Sequence, residues 1–247
     1  MNNNLLKNKV VLITGAAKRL GAQTVRTLHQ SGANIILHYG HSHNEAKALA
    51  EELNQKRPLS VQLLQADLLD IKALKQLAQD AFQVYQRLDV LVNNASTFYP
   101  TPLGEINEAN YDDLMGTNFK APLFLSQACF PFLAANNGVI INMVDIHARS
   151  PLKDHLTYSC AKAANAMLVR SLAKEMGPNV RVNGVAPGAI LWPENKMDEN
   201  VMKEIISDIP LKKTGEPSNI ADTILFLIQN DYINGQIIAV DGGRQLF

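Results

Sequence analysis

The stretch KVVLITGAAKRLG, residues 9–21, carries the first decision about the fold. Its first half, KVVLIT, is an apolar, β-branched run that reads as a strand. It passes without a spacer into TGAAKRLG (14–21), and LGAQTVRTLHQSG (20–32) then follows a helical pattern. Gly15 permits the tight turn, and Gly21 lets the helix lie close to the strand. Leu20 sits between the loop and the helix face. A strand that turns directly into a helix start aims several backbone N–H groups at one point, which suits a pyrophosphate. The loop reads T-G-x-x-x-R-x-G, with Arg19 where a glycine often stands. Lys18 and Arg19 are cations at a helix N-terminus, where the helix dipole disfavours them unless an anion binds.

Outward from this stretch, strand-like and helix-like segments alternate. Further strand candidates are NIILHY (34–39), SVQLLQ (60–65), LDVLVNN (88–94), GVIINMV (138–144), NVRVNGV (179–185) and GQIIAVD (235–241). Helical patterns between them include 43–56, 70–86 and 157–177. The strand runs are apolar on both faces, as in a sheet covered by helices on both sides. The order predicts an α/β fold with a doubly wound parallel sheet. No repeat, linker or low-complexity segment interrupts the 247 residues, so one domain is expected over 1–247. Its cofactor part spans roughly 9–145. Two segments, 96–107 and 187–200, are long for loops and follow strands, on the side where open α/β sheets bind ligands.

Composition narrows the function. The formal net charge is zero, which argues against a nucleic-acid partner or an anionic membrane held by bulk charge. The two cysteines, Cys129 and Cys160, lack metal-ligand spacing and read as free thiols in a reducing compartment. The N-terminus lacks the apolar core of a signal peptide and no run reaches membrane-spanning length, so a cytoplasmic protein is expected.

Cofactor choice in such sheets is read at the end of the second strand, where an acid accepts the ribose hydroxyls of NAD. Here the strand ends LHYGHSH (37–43), with no acid. With Arg19, His38, Tyr39, His41 and Ser42 nearby, NADPH is favoured. The three histidines straddle a turn, so no metal site is expected from them. Asp67 and Leu68 end the third strand, where an adenine edge can be read. NNAS (93–96), with Asn94, Ala95 and Ser96, ends the fourth strand close to the glycine loop. Its asparagines also suit turn formation.

A second stretch, VDIHARSPLKDHLTYSCAK (144–162), holds Tyr158 and Lys162 four apart. Asp145 stands thirteen residues before the tyrosine, after the apolar run VIINMV. With TGAAKRLG, NNAS, Asn118 in GTNFKAP, YSCAK, RVNGVAPG and the terminal VDGG, the chain resembles the short-chain dehydrogenase/reductase family over nearly its whole length. The resemblance implies a Rossmann fold, a homotetramer and hydride transfer with NAD(P)H. It implies catalytic roles for Asn118, Tyr158 and Lys162, and cofactor contacts at Pro187 and Gly188 as well as at Tyr158 and Lys162. Asp145 stands where the family usually has serine. Pteridine reductases and bacterial dihydromonapterin reductases look like this chain at that departure, at the T-G-x-x-x-R-x-G loop, at the His-Tyr strand end, and at NNASTFYPTPL (93–103). Trypanosomatid pteridine reductases tend to have Arg where His41 stands.

These readings lead to an expected chemistry. Lys162 would bond the nicotinamide ribose and, as a nearby cation, lower the Tyr158 pKa toward neutrality. A carboxylate at Asp145 cannot donate to a substrate carbonyl unless protonated, which disfavours simple ketone reduction. A pterin instead has a ring C=N whose nitrogen needs a proton, and Asp145 with Tyr158 can relay one. Phe98 offers a platform for a flat pterin, Ser96 a polar contact, and Trp192 a cover from the 187–200 loop. The competing expectations are a carbonyl-reducing member acting on a 3-oxoacyl thioester, and a non-catalytic NADPH-binding regulator.

Overall fold

Side chains alternate across the central strands, and the alternation sorts them into two apolar layers. Val11, Ile13, Ile35, Leu37, Val90, Val92, Val139 and Ile141 enter one layer. Their neighbours Val10, Leu12, Ile36, Leu91 and Ile140 enter the other. The period of two is that of a pleated strand, and both faces are dry because helices cover both.

The computed structural model describes residues 5–191 and 198–246. Seven parallel strands form one sheet: β1 (Val10–Ile13), β2 (Asn34–Tyr39), β3 (Val61–Gln65), β4 (Val90–Asn93), β5 (Val139–Met143), β6 (Arg181–Pro187) and β7 (Ile237–Val240). Their spatial order is β3-β2-β1-β4-β5-β6-β7. The helices α1 (Arg19–Gln30), α2 (His43–Lys56) and α8 (Pro217–Gln229) pack on the first layer. Helices α3 (Ile71–Tyr85), α5 (Ala121–Ala134) and α6 (Leu156–Met176) pack on the second. Helix α4 (Glu108–Met115) runs into α5 through one wider π-type turn, Gly116–Lys120, and α7 (Glu199–Asp208) precedes α8. Among the described residues no helix is long and apolar enough to cross a membrane.

The chain winds outward from β1 to β3, returns to β4, and winds outward again to β7. Strands β1 and β4 therefore lie side by side with their connections leaving in opposite directions. That reversal opens a crevice at the carboxyl ends of the strands. The register pairs Ile13 with Val92, so Thr14–Gly15 meets Asn94–Ala95 at the crevice floor.

Gly21 decides how closely α1 can approach. A Cβ there would sit 2.5 Å from the Gly15 carbonyl oxygen and 2.7 Å from the Asn94 amide nitrogen. Neither can retreat, because the first is backbone and the second is bonded to that backbone. Gly21→Ala is expected to lower folding stability by about 1–3 kcal/mol, read as a lower melting temperature.

Candidate active site

At the crevice lies a cavity of about 640 Å³. The glycine loop and helix start contribute Gly15, Lys18, Arg19, Leu20 and Gly21. The ends of β2 and β3 contribute His38, His41, Ser42, Asp67 and Leu68, and the end of β4 contributes Asn94, Ala95 and Ser96. Sequence reasoning misses Gly40, Gln65, Ala66, Leu69, Thr97, Asp113 and Thr117, which also line it. Ala66 and Leu69 flank the Asp67–Leu68 pair and follow from it; Asp113 and Thr117 arrive from the α4 side and carry no local signal.

The loop is held by backbone and by one side chain on each side. Thr14 Oγ1 accepts from the N–H groups of Asn94 and Ala95 at 3.0 and 3.1 Å. Asn94 Nδ2 donates back to the carbonyls of Thr14 and Gly15 at 2.8 and 3.0 Å. Asn94 is thus an anchor of the loop. Gly15 has φ +58°, and a Cβ on it would lie 2.9 Å from Ala95 Cα. This Cβ-free cradle, ahead of the α1 N-terminus, fits the pyrophosphate of a dinucleotide.

Arg19 has φ +53°, the left-handed region that glycine occupies freely. For an arginine this conformation costs about 1–2 kcal/mol. Its guanidinium lines the cavity and reaches the Leu191 carbonyl at 3.5 Å. Lys18 pairs with Glu45 in the first turn of α2 at 3.3 Å. His41 is exposed, and Ser42 begins α2 without its side chain capping the helix.

Two residues expected among the cofactor contacts are bonded within the protein itself. His38 is buried, and both ring nitrogens are engaged by the protein. Gly15 N–H donates to Nδ1 at 3.2 Å, and Nε2–H donates to the Ala66 carbonyl at 3.1 Å. It braces the glycine loop and has no donor left for a phosphate. Burial pushes its pKa down to about 4. Tyr39 is also buried, is absent from the cavity wall, and bonds His43 Nδ1 at 2.7 Å through its hydroxyl.

The second part of the site stands where β5 ends. Asp145 Oδ1 accepts from the His147 N–H at 2.8 Å, which fixes the carboxylate as the cap of a short 3₁₀ turn. Its Oδ2 accepts from the Tyr158 hydroxyl at 2.7 Å. Tyr158 and Lys162 lie one turn apart on α6, both buried. Lys162 Nζ donates to the Met143 carbonyl at 2.9 Å and lies 5.5 Å from the Tyr158 ring centre.

This geometry reverses the expected pKa of the tyrosine. Burial first, then the charge of Asp145 and the hydrogen bond to it, raises Tyr158 well above its ordinary value. The hydroxyl faces the carboxylate while the lysine lies over the ring, so the cation does not govern it. Burial also lowers Lys162 to about 8, partly offset by Asp145. Asn118 sits in the π-type turn; Ser96 Oγ donates to its Oδ1 at 2.6 Å, and its Nδ2 donates to the carbonyls of Thr97 and Leu114, both at 2.9 Å.

Phe98 is 50% exposed, so half of a large apolar ring is open to solvent. It meets Tyr158 edge-on with ring centres 4.8 Å apart. The His155 ring stacks on it at 4.6 Å and 17°, a contact that sequence reasoning misses. The 98–103 loop is tied to the start of α6 by a Thr101–His155 bridge and a bond from Thr101 N to the Asp154 carbonyl. Pro187 ends β6 and Gly188 follows it, its N–H donating to the Val240 carbonyl; neither lines the cavity. Trp192 lies outside the described residues.

Residues 15–245 match the family model described as enoyl-(acyl carrier protein) reductase. The chain is 35% identical to pteridine reductase 1 of Leishmania tarentolae, over 96% of each chain. It is 33% identical to a 3-oxoacyl-acyl-carrier-protein reductase of Thermotoga maritima, over 96% of this chain and 98% of that one. It is 32% identical to 7alpha-hydroxysteroid dehydrogenase of Bacteroides fragilis, over 97% and 95%. Relatives with three different substrates in their names thus lie at nearly the same identity.

His38 gives the fold a pH dependence. Its folded pKa is about 4 against 6.5 for the free side chain, so the unfolded chain binds the extra proton. The stability it contributes is complete above pH 6.5 and is lost as pH falls toward 4. His38→Gln, which keeps an acceptor for Gly15 and a donor for Ala66, is expected to flatten this dependence by about 1.4 kcal/mol per pH unit. Chemical denaturation at several pH values between these limits measures it.

Proposed function

The chain belongs to the short-chain dehydrogenase/reductase family, whose members are oxidoreductases that use nicotinamide cofactors, and on that premise we propose that it is an NADPH-dependent pteridine reductase. The observation that carries the reading is the 2.7 Å hydrogen bond from Tyr158 to Asp145 beside a half-exposed Phe98. A ketone reductase needs a neutral donor at the Asp145 position, and a carboxylate accepting from Tyr158 is not one. A ring C=N needs a proton on nitrogen, and this pair holds one proton between a phenol and a carboxylate.

The residues divide the work as follows. Phe98, backed by His155, gives a flat heteroaromatic ring a stacking surface. NADPH, when bound, supplies the hydride to a ring carbon. Tyr158 and Asp145 together relay one proton to the ring nitrogen, and that proton is replaced from solvent. One hydride and one proton are thereby added, and the dihydropterin becomes a tetrahydropterin. Ser96 and Asn118 hold the 96–98 corner on which Phe98 stands.

Several features support NADPH over NADH. No acid ends β2, and Arg19, Lys18, His41 and Ser42 converge on the cavity wall there. Arg19 keeps a strained backbone at a position where glycine would cost nothing, which is accounted for if its charge is needed. A homotetramer in the cytoplasm is part of the same proposal and rests on the resemblance.

The second reading is reduction of a 3-oxoacyl thioester, favoured by the similarity to the Thermotoga maritima reductase. A non-catalytic regulator is disfavoured because Asn118, Tyr158 and Lys162 are all present and all buried together.

NADPH oxidation with dihydrobiopterin, dihydromonapterin, dihydrofolate and an acetoacetyl thioester separates these readings. Turnover is expected with a dihydropterin; turnover with the thioester alone would overturn the proposal. Asp145→Ala is expected to lower kcat/KM for the pterin about 10²-fold or more, and an unchanged value would remove Asp145 from the chemistry. Arg19→Gly is expected to raise the KM for NADPH about tenfold while the melting temperature holds or rises, since the left-handed backbone is relieved.

A further inference from the structure

Helix α6 carries Tyr158, Lys162 and Asn165 at spacings of four and three, hence on one face. The first two have been given roles; the third has none. Asn165 is 1% exposed, in a region where the neighbouring Leu168, Val169 and Leu172 are core residues. A buried amide is costly unless fully bonded, and this one is. Its Nδ2 donates to the Asn118 carbonyl at 3.0 Å and reaches the Met143 carbonyl at 3.5 Å. The Met143 carbonyl is the one that also accepts from Lys162 Nζ.

Behind Asn165 the amides run head to tail into the sheet. Asn142 Nδ2 donates to Asn165 Oδ1 at 2.8 Å, and Asn93 Nδ2 donates to Asn142 Oδ1 at 2.8 Å. Asn93 also donates to Ser126 on α5 at 3.1 Å. The chain crosses β4 and β5, enters α6, and ends on the π-type turn that carries Asn118. Apolar packing alone lets a helix settle at several depths; a directional chain of buried hydrogen bonds admits one.

We propose that Asn165 is a positioning residue of the proton-handling site: it holds the carbonyls of Met143 and Asn118 in place, so that Lys162 stays over the Tyr158 ring and Asn118 stays against Ser96. The inference rests on the reading of Tyr158 and Asp145 as the proton pair with Lys162 beside them, and on no choice of substrate.

The test uses Asn165→Leu and Asn165→Asp in the full chain, with Tyr158→Phe as control. The substrate is whichever of dihydrobiopterin and acetoacetyl-CoA the wild type reduces. The readouts are kcat, KM, NADPH affinity by fluorescence, and the pH profile of kcat. Lys162, held near 8 by burial, is faced by Asp145 from the turn after β5 and by Tyr158 on its own helix. Both variants are expected to lose kcat at least tenfold, with NADPH affinity within about threefold of wild type. Asn165→Asp keeps the acceptor for Asn142 and loses the donor, and its carboxylate is expected to move the alkaline limb of kcat upward. If Asn165→Leu fails to fold, the nearly isosteric Asn165→Asp decides. Wild-type kcat in the folded variants, or a loss that tracks melting temperature with no movement of the limb, would overturn the inference. Retained activity in Tyr158→Phe would overturn instead the reading of the pair on which it rests.

Discussion

The close approach of β1 and β4 is the constraint on which the rest of the structure hangs. Thr14 and Gly15 accept four hydrogen bonds from Asn94 and Ala95 across the two strand ends, and Gly15 lies against Ala95 where no side chain fits. The floor of the cavity is therefore backbone, rigid and without bulk. The N-terminus of α1 is aimed into the same space because Gly21 lets the helix sit directly on the loop. His38, reaching over from β2, takes up the Gly15 N–H and completes the frame. A dinucleotide placed on that frame has its orientation set by hydrogen bonds that the protein makes to itself.

The reactive end depends on a different economy of bonds. Asp145 uses one oxygen to close a turn and the other to hold the Tyr158 hydroxyl. A carboxylate with one oxygen tied to backbone cannot swing away, so the phenol is held in place and kept protonated. Lys162, buried and bonded to a carbonyl, supplies positive charge to the region without competing for that hydroxyl. An aspartate at this position thus gives the Tyr158 hydroxyl a fixed acceptor.

Much of this was legible in the chain. The strands and the parallel sheet follow from apolar runs with helical segments between them, and the cradle follows from Gly15 and Gly21 between strand and helix. The cavity wall also followed wherever a residue comes within a few positions of a strand end, as His41, Ser42, Asp67, Leu68 and Ser96 do. What was not legible are directions. Nothing in LHYGHSH tells that His38 points inward to the glycine loop while His41 points to solvent; that depends on strand parity and on what lies beneath. The Tyr158–Lys162 spacing places two side chains on one helix face and does not say that the hydroxyl turns to Asp145. The His155 stack and the amides of Asn142 and Asn165 join residues distant in the chain, and the π-type turn at Asn118 shifts hydrogen bonds without leaving a mark in the hydrophobic pattern.

The sheet order also sets how far apart in the chain the partners of each strand lie. Strand β1 has its β2 partner close by in sequence, since only twenty-odd residues separate Val10 from Asn34. Its other edge waits for β4, whose pairing begins at Val90. Until then the most apolar strand of the molecule presents an open row of N–H and C=O groups, a template for any other extended chain. The long wait is inherent in a parallel arrangement whose central pair is non-local. The feature that makes the binding crevice possible in the finished protein is thus the one that leaves its nascent form most open to mispairing.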